Sequence, residues 1–187
     1  MKWCAVLLAV LMVLTGCAPV AREPDNLALV RVLGVDGNGP VTLNAVCGSE
    51  NQQKVRRGSA EAERFEQARR DVVWSGTAEE LALTGVSYLV IGPDVDLEAV
   101  LFAVMEDAEL GVSATVWLAQ EGAAALLDSC DDPNGDLERL TLQKIKAPTV
   151  AQAVAALTTD GAVTLPCLVQ QDGRLEERGT SQWKESN

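Results

Sequence analysis

The first sixteen residues of this chain have a different task from the rest and stand outside its fold. Met1-Lys2 carries one positive charge, Trp3 to Leu14 is an unbroken apolar run of twelve residues, and Thr15-Gly16-Cys17 follows. A basic start, a short apolar core and small residues at a cut are the three parts of an export signal. The run is too short to span a hydrocarbon core, which takes about 20 residues. Removal of residues 1–16 from 187 leaves 171, the size of one domain, or of one domain with a tail.

Leu14-Thr15-Gly16-Cys17 resembles the bacterial lipobox. That resemblance implies a diacylglycerol on the sulfur of Cys17, cleavage before it, and a chain held on the outer face of a membrane. Two or more acyl chains hold stably where one holds only marginally. Ala18 to Asp25 has two prolines and mixed charge, as a short tether would. The expected division is therefore a signal peptide over 1–16, a lipidated tether over 17–26 and a folded domain over 27–187.

The domain has material for a core: 48% of the chain is apolar, and with only 4% aromatics the interior must be built from Leu, Val and Ala. Acidic residues outnumber basic ones by 27 to 15, a net charge of −12. Nucleic acid, which rewards basic surfaces, is a poor partner for such a chain. A face lying flat on anionic lipid is disfavoured by the same balance. Cys47, Cys130 and Cys167 remain beyond Cys4 in the signal and Cys17 at its end. Their spacing fits no zinc pattern, and an odd number makes at least one unbridged thiol the expectation.

Along the domain, patterns of period two and of three to four alternate. Leu27 to Asp36 reads as a buried strand, Asp36-Gly37-Asn38-Gly39-Pro40 as a turn, and Val41 to Val46 as a second strand closing a hairpin. Ser49 to Gly58 reads as a polar loop. Ala60 to Trp74, with Phe65, Ala68, Val72 and Val73 on one face, reads as a helix. Val86 to Ile91 is an expected strand closed by Gly92-Pro93. Asp94 or Asp96 then caps a helix whose stripe is Leu97, Val100, Leu101, Val104, Met105 and Ala108. Val112 to Ala119 is an expected strand and Glu121 to Asp128 a short helix, broken by Asp131-Asp132-Pro133-Asn134-Gly135. Thr149 caps a helix carrying Val150, Val154 and Leu157, and Gly161 ends it. Thr164 to Val169 and Arg174 to Trp183 are final strands around Gln171-Asp172-Gly173. This order predicts a single α/β (α+β) domain, a mixed sheet with packed amphipathic helices.

Chemistry is scarce in these residues. The chain has no histidine, which removes the commonest general base and metal ligand and every Ser-His-Asp or Cys-His arrangement. It has no phosphate loop or dinucleotide fingerprint. Asp131, Asp132 and Asp136 do not match a calcium loop, whose glycine and closing glutamate fall elsewhere, so they read as a solvated turn. Glu79-Glu80 and Glu176-Glu177 read as solvated charges. Asp94, Asp96 and Glu98 suit the start of a helix. Trp74, Trp117 and Trp183 are too far apart in sequence to form a stacking platform. The expectation is a tethered binding or structural module, not an enzyme, with no catalytic, cofactor or metal residues.

The succession of segments resembles the Ger(x)C family, the lipoprotein C subunits of spore nutrient germinant receptors. It comprises Cys17 of the lipobox, Arg22-Glu23, Leu27-Ala28, Gly34-Val35-Asp36, Leu89-Val90-Ile91-Gly92, the helix from Asp94, Val116-Trp117-Leu118-Ala119, Leu165-Pro166 and Gly179-Thr180. It departs from the family at Ala18-Pro19, in place of Trp-Asp, and at Thr84-Gly85-Val86, where the family often has a histidine. It corresponds to the N-terminal domain alone. The resemblance implies a non-catalytic role in spore germination, at the outer surface of the spore inner membrane, beside integral membrane A- and B-type subunits. Only Cys17 transfers as a functional position. The alternative is an unrelated membrane-anchored lipoprotein that captures a ligand in a concave apolar pocket with a few polar groups.

Overall fold

A computed structural model describes residues 27–37, 40–47, 56–74 and 80–184. The signal, the tether with Cys17, Asn38-Gly39 of the expected turn, residues 49–55 of the expected loop and Glu79 lie outside the described residues.

The fold is α/β, with helices on both faces of one mixed sheet. The strands are β1 (Leu27–Asp36), β2 (Val41–Cys47), β3 (Arg56–Ala62), β4 (Val73–Trp74), β5 (Glu80–Ala82), β6 (Tyr88–Ile91), β7 (Thr115–Ala119), β8 (Ala162–Gln171) and β9 (Arg174–Lys184). Their order across the sheet is β4-β3-β2-β1-β6-β7-β8-β9, and β5 pairs with the first residues of β1. Four adjacent strands, β1, β6, β7 and β8, run parallel. Antiparallel hairpins flank them, β1 with β2 on one side and β8 with β9 on the other.

The helices are α1 (Phe65–Asp71), α2 (Leu97–Glu106), α3 (Ala123–Asp128), α4 (Pro133–Leu142) and α5 (Val150–Asp160). Helices α1, α2 and α5 cover one face. Their Phe65, Ala68, Leu97, Val100, Leu101, Val104, Val150, Ala153 and Leu157 pack on Leu33, Val35, Leu89, Ile91, Val116 and Leu165 of the sheet. Helices α3 and α4 cover the other face, where Leu126, Leu127, Leu137 and Leu140 meet Val32, Val90, Trp117 and Leu168. Burial of each such Leu or Val contributes about 1.5–3 kcal/mol, so this two-sided covering is the main source of stability.

A bulge decides which way β1 points. Val30 pairs with Cys47 but Val32 pairs with Val46, so one extra residue stands in β1. The insertion puts Val30 and Val32 on opposite faces, although residues two apart in a regular strand share one. Beyond it, Val32, Gly34 and Asp36 face the α3–α4 layer. Gly34 is there because α3 is close: a β-carbon would come within 2.7 Å of Leu127 Cδ1 and 3.2 Å of Ala123 Cβ.

Capping sets the helix boundaries. Asp96, not Asp94, caps α2, accepting from the Ala99 N–H at 3.0 Å. Thr149 and Gln152 exchange side-chain and backbone bonds of 3.2 and 3.0 Å in a capping box at the start of α5, and Gly161 ends that helix at φ +62, a conformation that glycine adopts without strain.

Several expectations need correction. The expected loop over 49–58 gives way at Arg56 to strand β3, and the expected helix over 60–74 is helical only from Phe65 to Asp71. Val73 belongs to a two-residue strand instead. Pairing with β2 overrides local pattern here. The 3-10 turn Leu83–Gly85 and strand β5 were not expected. In α2, Met105 is exposed and Ala108 lies past the last turn, so the stripe is narrower than read. Val112 lies before β7 and is exposed. The expected break at Asp131–Gly135 is the start of α4: Asp132 accepts from Gly135 N–H at 3.0 Å and Pro133 occupies the first turn. Proline suits that position because its missing N–H has no intrahelical partner there.

Candidate functional site

The parallel strands β6 and β7 finish at the same end of the sheet, and the chain leaves them toward opposite faces, through α2 and through α3. In sheets of this kind, ligands occupy the crevice at such a reversal, with an anion at the following helix N-terminus. Here that position belongs to the side chain of Asp36. Its Oδ1 accepts from the Ala123 N–H at 2.7 Å and its Oδ2 from the Ala124 N–H at 2.6 Å. The carboxylate caps a helix that begins 87 residues later in the chain. Gly92 makes room for it, since a β-carbon there would overlap Asp36 Oδ1. Gly122, at φ +104, supplies the backbone conformation that leads into the helix.

The other end of α3 is held by a charge of the opposite sign. Arg57 of β3 donates to the carbonyls of Leu127 and Cys130 and approaches Asp128 at 3.5 Å. A carboxylate at the N-terminus and a guanidinium at the C-terminus both favour the helix dipole. An isolated helix of this length is unstable, so α3 exists by virtue of its two clamps and its buried face. The ends of β1, β6 and β7, at Asp36, Gly92 and Gly122, thus meet at one junction.

A second polar junction fixes α4 to β9. Asp136 is buried, accepts from the Leu175 N–H at 2.8 Å and lies 3.5 Å from Arg139. Arg139 donates to the Leu175 carbonyl at 2.6 Å and to Glu176 at 3.0 Å. Asp136 and Glu176 are therefore structural, not the solvated charges their sequence suggested. Among the described residues no group of three His, Cys, Asp or Glu side chains is placed to hold a metal. Trp117 is fully buried and donates from Nε1 to Thr115 Oγ1 at 2.9 Å.

The thiols are widely separated. Cys47 and Cys167 are buried on one face and Cys130 on the other. Cys47 on β2 and Cys167 on β8 are four strands apart, about 19 Å at normal strand spacing and far beyond disulfide reach. Burial pushes the Cys130 thiol above its ordinary range, aided by Asp136 and Asp131 and opposed by the Ser129 contact and Arg57.

Among the described residues, clefts open at the strand-finishing end. One of about 620 Å³ lies beside α3 and is lined by Gln120, Glu121, Ser129, Gln170, Gln171 and Arg178, among others. Another, about 330 Å³, lies between α1 and α2, where Val41, Phe65, Ala99 and Val100 meet Glu63 and Asp96. The sequence offered no sign of either, since each is assembled from segments far apart in the chain. No protein-family model, curated protein or solved structure matches the chain.

Proposed function

We propose that this chain is a lipid-anchored, non-catalytic accessory subunit of a spore nutrient germinant receptor. The observation that carries the reading is Leu14-Thr15-Gly16-Cys17 after a short apolar run. On this reading the lipid on Cys17 confines the domain to a thin layer at the membrane. Its effective concentration near integral A- and B-type subunits rises accordingly, so weak contacts suffice for assembly.

The test has two parts. Palmitate labelling should mark the wild-type protein, and Cys17→Ala should abolish the label and release the protein from membranes. A pull-down from detergent-solubilised spore membranes should then recover A- and B-type subunits, and a deletion strain should germinate poorly on at least one nutrient. Recovery of neither subunit, with normal germination of the deletion strain on every nutrient, would overturn the receptor reading.

A second reading, a membrane-anchored lipoprotein that captures a ligand, rests on the cleft of about 620 Å³, whose lining is polar and not the mainly apolar one expected, so its ligand would be a small hydrogen-bonding one. The cleft volume falls within the usual range for ligand sites of about 300–1,000 Å³. A thermal-shift screen of amino acids and sugars, with Gln170→Ala as control, distinguishes the two readings.

A further inference from the structure

The exposed apolar side chains of the domain are unevenly placed. Of the five large hydrophobic residues exposed among the described residues, three sit at the end where the parallel strands start. Leu29 is the third residue of β1 and 41% exposed. Val112, 44% exposed, precedes β7, and its carbonyl accepts from Ala151 N–H. Leu142, 76% exposed, ends α4, and the chain returns from it to Pro148, whose carbonyl accepts from Val116 N–H at the start of β7.

Charge follows the same axis. Every lysine among the described residues is at this end and exposed: Lys144 and Lys146 in the return from α4, and Lys184 opposite Ala162 at the start of β8. Two acids nearby, Asp107 and Glu109, are both bound by Arg69 at 2.6 Å, while Glu106 and Asp160 are exposed. The strand-finishing end has an acidic excess instead: Glu63, Asp94, Asp96, Glu121 and Asp172 are exposed in its loops against the exposed Arg64, Arg174 and Arg178.

We infer that the strand-starting end is a membrane-facing surface, resting on a bilayer that contains anionic phospholipid. The inference rests on the lipid-anchor reading. The domain begins at Leu27, at this same end, and nine residues lie between it and Cys17, ten steps with a reach of at most about 33–36 Å. A domain hung on so short a chain presents the end at which the chain enters. There Leu29, Val112 and Leu142 enter the interfacial region, and the lysines meet lipid phosphates. The acidic excess of the opposite end is repelled by the same surface and turns that end outward. The overall acidity that disfavours flat binding therefore becomes an orienting force.

The test uses the full lipidated chain in phosphatidylcholine–phosphatidylglycerol vesicles carrying headgroup quenchers. A fluorophore is attached at Ser113→Cys or Gln143→Cys, beside the proposed surface, and at Glu121→Cys or Asp172→Cys, at the far end; the native thiols of the domain are buried. Strong quenching at 113 and 143 with background quenching at 121 and 172 is expected. Lys144→Gln and Lys146→Gln should each shift the oriented population by roughly fivefold on anionic vesicles, the scale for one basic residue at such a surface, and by little on phosphatidylcholine alone. Equal quenching at all four positions in membrane-bound protein overturns the orientation and leaves the anchor standing. If protein with Cys17 intact washes off the vesicles, the anchor reading fails and takes the orientation with it.

Discussion

Replacement of Asp36 by alanine removes the one side chain that closes the N-terminus of α3. The carboxylate is half-buried and makes two short bonds, 2.7 and 2.6 Å, to the Ala123 and Ala124 amides. Hydrogen bonds to a charged group contribute about 1.5–3 kcal/mol each, and a donor left buried without a partner costs about 1–3 kcal/mol. Partial fraying and water entry recover some of this, so Asp36→Ala should cost about 3–4 kcal/mol. That is a large share of the 5–15 kcal/mol typical of a domain. Asp96→Ala is the internal control: its carboxylate caps α2 through one exposed bond of 3.0 Å, and such a cap is worth about 1 kcal/mol. Equilibrium urea denaturation followed by tryptophan fluorescence measures both. The pair Asp36→Ala and Arg57→Ala should also be less than additive, because either change alone frees α3 and exposes what the other clamp protects. Costs for Asp36→Ala and Asp96→Ala that agree within about 0.5 kcal/mol would refute the reasoning, since α3 would then be docked by its apolar face alone.

Other perturbations separate packing from capping. Gly92→Ala should destabilise by more than about 2 kcal/mol, because its β-carbon overlaps Asp36 Oδ1, whereas Gly34→Ala presses on the tip of Leu127 and, less closely, on Ala123 Cβ and should cost about 1–2 kcal/mol; urea midpoints should rank the two in that order. Leu101→Ala, at a fully buried site on α2, should cost about 2–5 kcal/mol, and a measured loss under about 0.5 kcal/mol would mean that α2 is not docked on the sheet. Because burial raises the Cys130 thiol, the unfolded thiol ionises first, from about pH 8.5. The stability linked to this group is complete below that pH and is lost as the pH rises toward the folded value. Cys130→Ala should therefore flatten the alkaline decline in unfolding free energy, and identical slopes for wild type and variant would contradict this.

The legible parts of the fold are those whose burial repeats locally. The stripe from Leu97 to Val104 and the Thr149–Gly161 helix each bury one face of a regular element, and in β1 Val30, Val32, Leu33 and Val35 form an apolar run buried on both faces, so periodicity, run and caps sufficed. Strand β3 did not announce itself. Arg56–Ala62 reads Arg-Arg-Gly-Ser-Ala-Glu-Ala, without an alternating apolar face, and it is a strand because β2 supplies its hydrogen bonds over seven pairs. Helix α4 was hidden for a different reason. Asp131-Asp132-Pro133-Asn134-Gly135 has the composition of a turn, yet Asp132 followed by Pro133 is also an N-cap followed by the residue best suited to the first turn. The role of Asp36 left one indirect trace. Gly122, ahead of α3, has no side chain to cap with, so a partner for the first amides had to come from elsewhere in the chain. Nothing local could have named it.

The Asp36 junction also bears on what kind of function this fold supports. An α/β sheet with a reversal between β6 and β7 has one crevice where phosphates and other anions are usually held. To enter it here, an anion would have to displace a carboxylate that belongs to the chain, bonds two amides and fits a space left by Gly92. The displaced carboxylate would then lie within the field of the newcomer. The architecture thus spends its anion position on its own stability. What remains for recognition is the outer surface of the strand-finishing end, the acidic loops and the polar cleft beside Glu121 and Arg178. If the opposite end rests on lipid, this surface is the one turned toward whatever rises from the membrane beside it. A partner that reads it should carry basic groups. Charge reversal at Glu121 and Asp172 should weaken that association, and raised salt should do the same.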